Sequence, residues 1–246
     1  MVSRKDTIMI PAAYHRSLLT EEEQADYLTI VNALIRHSSR VQIKSSAAHK
    51  KSIKRIISAV HLDHPELFFV DFWNSKVMSS SLCQGSAILF NMLIDRKTAD
   101  SITETINNRV SSIREKDSPS LSAKKRYMIL MNEIASSTKY KNTASAFWDH
   151  TVAGPILYHT AVCEAIAKLF LLLCQRLDLP CAVITGTVND APHAWNMVEL
   201  SGRRYYVDVT YHLKMIPIYI RYKLFPDSVF KTREQMISRG YLWIKT

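Results

Sequence analysis

The amino-acid sequence predicts an α+β protein, and three observations carry that reading. Helical periodicity dominates the chain up to Thr138. A nearly unbroken apolar run from Cys163 to Leu177, rich in Ala and Leu and free of Pro and Gly, reads as a helix with apolar residues on almost every face, hence a central buried one. The segments after it, Cys181–Thr185, His193–Leu200 and Arg203–Tyr211, read as strands.

In chain order, Thr20-x-x-Glu23 is a capping box that opens a helix to about Arg36. Tyr27, Ile30, Val31, Leu34 and Ile35 give that helix one apolar face. A second helix is expected from Ser46 to Val60, strands at Leu67–Phe72 and Ser86–Leu93, and a helix over Thr98–Ile113. Asp117-Ser118-Pro119-Ser120 is a break. Leu121–Thr138 is a further helix with Ile129, Leu130 and Ile134 inside. Tyr140–Tyr158 is polar and irregular, and it delivers the chain to Cys163. It is therefore expected to line a cleft, with Trp148, Asp149, His150 and Tyr158 as cleft residues; packing of Trp148 on the core edge explains that residue equally well. Residues 1–115 are expected to form a mainly helical N-terminal extension, and residues 116–246 a separate core.

Composition narrows the function classes. The 246 residues are 47% apolar and 22% charged, without internal repeats or low-complexity tracts. No run reaches transmembrane length, and Arg4 and Lys5 are followed by only a short apolar stretch, Thr7–Tyr14, so no signal peptide and a cytoplasmic location are expected. The formal net charge of +10 could attract nucleic acid, anionic lipid or acidic proteins. The basic residues are spread, however. The densest groups, His49–Arg55, Lys124–Arg126 and Arg203-Arg204, fit solvated faces, and no specific nucleic-acid partner is expected. Zinc-finger, P-loop and dinucleotide motifs are missing. His61, Asp63 and His64, followed at once by Pro65, read as a loop rather than a metal site, so no metal or cofactor is expected. Four cysteines without paired spacing fit a reducing compartment.

Three short segments carry the chemistry. Cys163 stands at the first turn of the apolar helix, where unpaired N–H groups and the positive end of the helix dipole favour a thiolate. Glu164 in the same turn partly opposes that effect. The alternative for a lone cysteine is a small buried apolar residue; that reading suits Cys174 and Cys181, while Cys83 falls in a polar loop. Ser201-Gly202 is a two-residue hairpin signal. With that loop Leu200 pairs with Arg203, and His193 and Asp208 become diagonal neighbours on one face, their Cβ atoms about 7 Å apart or less. A three-residue loop would put them on opposite faces. Asp208 lies between Val207 and Val209 and needs a partner for its charge: His193, or alternatively Arg203, Arg204 or Lys214.

The order Cys-Glu-x-x-Ala-Lys-x-Phe (163–170), His-Ala-Trp-Asn (193–196) and Tyr-x-Val-Asp-Val-Thr (205–210) resembles the bacterial transglutaminase-like superfamily, which shares the papain-like thiol-enzyme core. The resemblance covers roughly Asp149 to Tyr211 and extends less specifically to the Leu224-Phe225-Pro226-Asp227 tail and to Tyr14, Leu18–Glu23 and His64–Val70. It implies a central helix packed on an antiparallel sheet and a triad of Cys163 as nucleophile, His193 as general base and acid, and Asp208 as orienter. Trp148, Tyr158 and Trp195 are the aromatic residues expected to contact substrate. The chain departs from the family twice. Ala165 stands where Gly is frequent, and Tyr211 is followed by His212 where Asp is frequent. The backbone N–H of Cys163 is one oxyanion donor; a second is sought between Trp148 and Tyr158. The expected function is a cysteine enzyme acting on peptide or glutamine amide bonds through a thioester, with hydrolysis or amine transfer as outcome. The alternative is an inactivated core serving as a binding scaffold.

Overall fold

The computed structural model describes residues 10–44, 50–79, 85–213 and 229–244. Cys83, Lys214 and the Leu224–Asp227 tail lie outside these, as do the first turn of the helix expected from Ser46 and the start, 7–9, of the Thr7–Tyr14 stretch. Among the described residues, 13–104 form one compact unit, and 105–244 with 10–12 form another.

In the first unit, helix α1 (Glu21–Ile35) begins with the full capping box at Thr20: its hydroxyl accepts from Glu23 N, and the Glu23 carboxylate accepts from Thr20 N at 3.0 Å. Helix α2 covers Lys50–Asp63. Strands β1 (Arg40–Ile43), β2 (Val70–Ser79) and β3 (Ser86–Met92) make an antiparallel sheet in the order β1-β3-β2. β2 starts later than the expected Leu67 because the chain first turns: Leu67 N bonds His64 O, and Val70 N bonds Leu67 O. Of the expected loop at 61–64, residues 61–63 are in fact the end of α2, and His64 follows it. There Asp63 accepts from the His15 and Arg16 backbone and from Tyr27 Oη at 2.8–3.1 Å, His61 packs on Phe72 and Trp73, and His64 meets Glu66.

Helix α3 runs Arg96–Arg114. The second unit continues with α4 (Ala123–Ser137), capped by the Ser122 side chain. Two short strands follow, β4 (Lys139–Tyr140) and β5 (Thr160–Ala161), which pair in parallel. Helix α5 (Cys163–Arg176) is the apolar helix expected from the sequence, buried from Ala165 through Cys174. It packs on an antiparallel sheet of β6 (Cys181–Val188), β7 (Ala191–Leu200), β8 (Arg203–Val207) and β9 (Tyr241–Trp243), in the order β8-β7-β6-β9. Asn196, fully buried on β7, donates to Ala167 O at 2.9 Å and ties the sheet to the helix.

Both hairpins use left-handed turn residues. Asn189 and Asp190 (φ 48° and 65°) link β6 to β7, and Ser201 and Gly202 (φ 51° and 73°) link β7 to β8. Positive φ at both central positions gives a turn whose twist matches the strands. The second loop fixes the expected register, Leu200 opposite Arg203, through to Asn196 opposite Val207. The expected strand to Tyr211 stops earlier. Asp208 leaves the ladder and caps a short helix α6 (Val209–His212), accepting from Tyr211 N at 3.2 Å. A local side-chain bond has outcompeted the β-forming composition of the segment. Helix α7 (Arg233–Ile237) then leads to β9.

β9 lies against Gly186 because that position lacks a side chain: a Cβ there would sit 1.9 Å from Leu242 O. Gly186→Ala is therefore expected to destabilise the fold by about 1–3 kcal/mol, the usual cost of overpacking, read as a fall in the urea midpoint.

Candidate active site

Cys163 is the first residue of α5 and is partly accessible. The segment before it is held from two sides. Tyr140 pairs with Ala161 across β4 and β5, and Lys141 N donates to Ala161 O at 2.9 Å. Val162 N donates to Asp149 O at 3.1 Å. Asp149 is itself buried and fixed, its carboxylate accepting from Lys141 Nζ (2.9 and 3.0 Å), Ser145 N (2.8 Å) and Ala146 N (3.1 Å). Burial pushes its proton affinity up, but Lys141 and the two backbone donors outweigh this and hold it below the usual carboxylate range. Asp149 thus organises the irregular loop and presents α5 through its own carbonyl.

Glu164 bridges His150 Nδ1 at 2.9 Å and Lys168 Nζ at 2.8 Å. Lys168 is buried; burial lowers its pKa, and Glu164 acts in the opposite direction. The hydrogen bond to Glu164 raises the pKa of His150. The carboxylate beside the thiol is therefore paired with the Lys168 ammonium and hydrogen-bonded to His150, and its opposition to negative charge on the sulfur is weaker than its place in the sequence implies.

On the sheet side, His193 Nε2 lies 2.8 Å from Asp208 Oδ2. The other group acting on the same imidazole is the Cys163 thiol. Burial opposes the charged imidazole, but Asp208 and Cys163 prevail and raise the His193 pKa to about 10. Asp208 is buried, which raises its pKa; the bonds from His193, Tyr241 Oη (2.6 Å) and Tyr211 N more than offset this, and its pKa is lowered. Arg203 and Arg204 stay exposed at the start of β8. Cys163, His193 and Asp208 are thus brought together, from the start of α5, the second half of the β6–β7 hairpin and the end of β8.

The flanking aromatic residues divide. Trp148 is half-buried, 3.9 Å between ring centroids from Phe147 and 6.2 Å from Tyr158, and Tyr158 is 54% exposed. Both sit in the loop that Asp149 organises. Trp195 is placed differently from the expectation. It is 1% exposed, stacks on His193 at 6.2 Å, and packs edge-on to Tyr241 and Trp243 at 5.2 and 5.3 Å. Strand alternation puts it on the same face as His193, where its large indole fills the core beside the imidazole and supports it; at this burial it offers no open surface to a substrate. Two tyrosines escaped the sequence reading. Tyr241 reaches Asp208 from β9. Tyr140 is half-buried, and after burial itself the charges of Cys163 and Asp208 push its pKa up, which places its hydroxyl in their field. Only its position at the head of the irregular loop could have signalled it.

Residues 107–209 match the family model described as the transglutaminase-like superfamily. Among solved structures the chain is similar to a TGase, with 13% identity and a TM-score of 0.40 over 70% of this chain and 50% of that one. It is similar to a candidate cysteine protease from Cytophaga hutchinsonii, with 14% identity and a TM-score of 0.38 over 59% and 63%. It is also similar to the periplasmic domain of TgpA from Pseudomonas aeruginosa, with 12% identity and a TM-score of 0.33 over 56% of each chain. The chain thus spans less than two thirds of the length of each of these structures. No curated protein matches it in sequence. Among the described residues, no helix is long and apolar enough to cross a membrane.

The His193 pair has a thermodynamic consequence. A folded-state pKa of about 10 against about 6.5 unfolded means that the charged imidazole stabilises the fold fully below about pH 6.5, and that this contribution is lost as pH rises through 10. The difference in urea midpoint between wild type and His193→Gln should be largest near pH 6 and shrink steadily towards pH 10.

Proposed function

We propose that this protein is a thiol enzyme of transglutaminase-like type, with Cys163 as nucleophile, His193 as proton carrier and Asp208 as its orienter. The reading rests on one observation above all: a part-buried imidazole bonded to Asp208 that has Cys163 as its other partner. With Nε2 committed to Asp208, Nδ1 is the nitrogen left for the thiol. The raised pKa of His193 favours an imidazolium at neutral pH, a cation that would stabilise negative charge on the attacking sulfur.

The thiolate attacks the carbonyl carbon of a peptide bond or a glutamine side chain, and the oxygen takes up the negative charge. First-turn N–H groups of α5, which no helical carbonyl can reach, face that charge. As the tetrahedral intermediate collapses, the imidazolium gives its proton to the departing nitrogen, the C–N bond breaks and a thioester remains. Neutral His193 then takes a proton from water, whose oxygen attacks the thioester and returns the thiolate. An amine in place of water yields a new amide. Hydrolysis is the favoured outcome, because water is always present.

The test is the pH dependence of Cys163 alkylation by iodoacetamide, located with Cys163→Ala. Rapid labelling well below pH 8 is expected, slowed by roughly 10²-fold in His193→Ala, in line with the contribution of a positioned base. Labelling that rises only near pH 8.5, the range of a free thiol, and ignores His193 would contradict the enzyme and leave the scaffold reading. Release of ammonia or incorporation of a labelled amine from glutamine peptides then separates hydrolysis from transfer.

A further inference from the structure

Asp208 Oδ2 receives two donors, His193 Nε2 at 2.8 Å and Tyr241 Oη at 2.6 Å, while Oδ1 receives Tyr211 N at 3.2 Å. The bond to Tyr241 is buried and crosses 33 residues of chain. Only β9 can deliver it, through the pairing of Tyr241 with Val188 on β6. The strand is anchored on both sides of the tyrosine. Gly240 (φ 83°) makes the turn into it, and Trp243 packs on Trp195 and Tyr206 and lies under the Arg233 guanidinium at 4.9 Å. The Tyr241 ring also lies 6.1 Å from the His193 ring, edge to face.

A carboxylate held only by Tyr211 N and His193 could rotate about its Cα–Cβ and Cβ–Cγ bonds. With Tyr241 in place, each oxygen has a fixed backbone-borne or strand-borne donor, and the plane of the carboxylate is set before the imidazole arrives. The tyrosine hydroxyl also draws charge from Oδ2, which disfavours transfer of the imidazolium proton to Asp208.

We propose that Tyr241 is a positioning residue of this site: through Asp208 Oδ2 it holds the His193 imidazole in line with Cys163, so that the C-terminal strand β9 completes a site otherwise built from α5, β7 and the end of β8. The proposal rests on the triad reading given above. It acts on reactivity, not on substrate contact, since the hydroxyl is spent on the carboxylate. The charged and titratable groups around it are Asp208, His193, Tyr211 and Arg239.

The experiment is the pH profile of Cys163 alkylation in Tyr241→Phe, Asp208→Asn and the double variant, beside the wild type. Tyr241→Phe is expected to slow labelling at pH 6.5 by about tenfold, the effect of losing a hydrogen bond to a charged group. It is also expected to move the acid limb of the profile to higher pH, because Asp208 loses a donor that keeps it ionised. In the Asp208→Asn background the same change should have an effect within about twofold, since the path runs through the carboxylate. Leu242→Ala, exposed on the same strand, should leave the profile in place. If Tyr241→Phe does not fold, 3-fluorotyrosine at position 241 keeps the ring and makes the hydroxyl more acidic, and the acid limb should move to lower pH. An unmoved profile in Tyr241→Phe or the fluorinated protein, or full additivity with Asp208→Asn, overturns the role of Tyr241 while a His193-dependent wild type leaves the triad standing. A wild type without His193 dependence overturns the triad reading and this proposal with it.

Discussion

A carboxylate buried among valines and aromatic rings is unstable unless donors surround it, and Asp208 meets that condition with three donors from three different places. One is the backbone of the short helix it caps, one is an imidazole on the neighbouring strand, and one is a phenol from the C-terminal strand. Meeting the needs of this one charge ends β8, starts α6, docks β9 and turns His193 towards α5. The site is in this sense a by-product of neutralising Asp208, and the sheet order β8-β7-β6-β9 places the two outermost strands on either side of the same histidine.

The opposite wall follows a parallel logic. Asp149 is a second buried carboxylate, satisfied by a lysine and by backbone N–H groups of its own loop. Its side chain shapes the loop, and its carbonyl receives Val162 N, so the helix begins at Cys163 rather than a residue earlier or later. Glu164 could have spoiled the electrostatics of the helix start. Instead it is shared by His150 and Lys168. A helix terminus, an imidazolium and a compensated carboxylate leave the surroundings of the thiol favourable to negative charge, which is what the proposed acyl-transfer chemistry requires at its first step.

Much of this was legible in the chain because it depends on short-range rules. The capping box at Thr20, the apolar face of α1, the buried helix α5 and the Ser201-Gly202 hairpin all follow from local patterns, and the hairpin register alone puts His193 and Asp208 on one face. What was not legible depends on distant or competing bonds. The segment after Val207 has β-forming composition, yet one Asp-to-backbone bond turns it into helix. Strands β4, β5 and β9 are two or three residues long, too short for any periodicity, and each exists because a partner strand is already in place. Tyr241 belongs to the last of these, so its bond to Asp208 has no signature in sequence. Trp195 misled for a simpler reason: an aromatic residue two positions from a candidate histidine suggests a binding surface, and burial turned it into support.

The central claim is that Cys163, His193 and Asp208 act as one acyl-transfer site. Its most direct test is intact-mass spectrometry after brief exposure to p-nitrophenyl acetate near neutral pH, followed by peptide mapping. The expected result is a single acetyl group on Cys163 that turns over with time, with its formation greatly slowed in His193→Ala and Asp208→Asn. Acetylation spread over surface lysines, or a Cys163 adduct that forms equally fast in both variants, would contradict it.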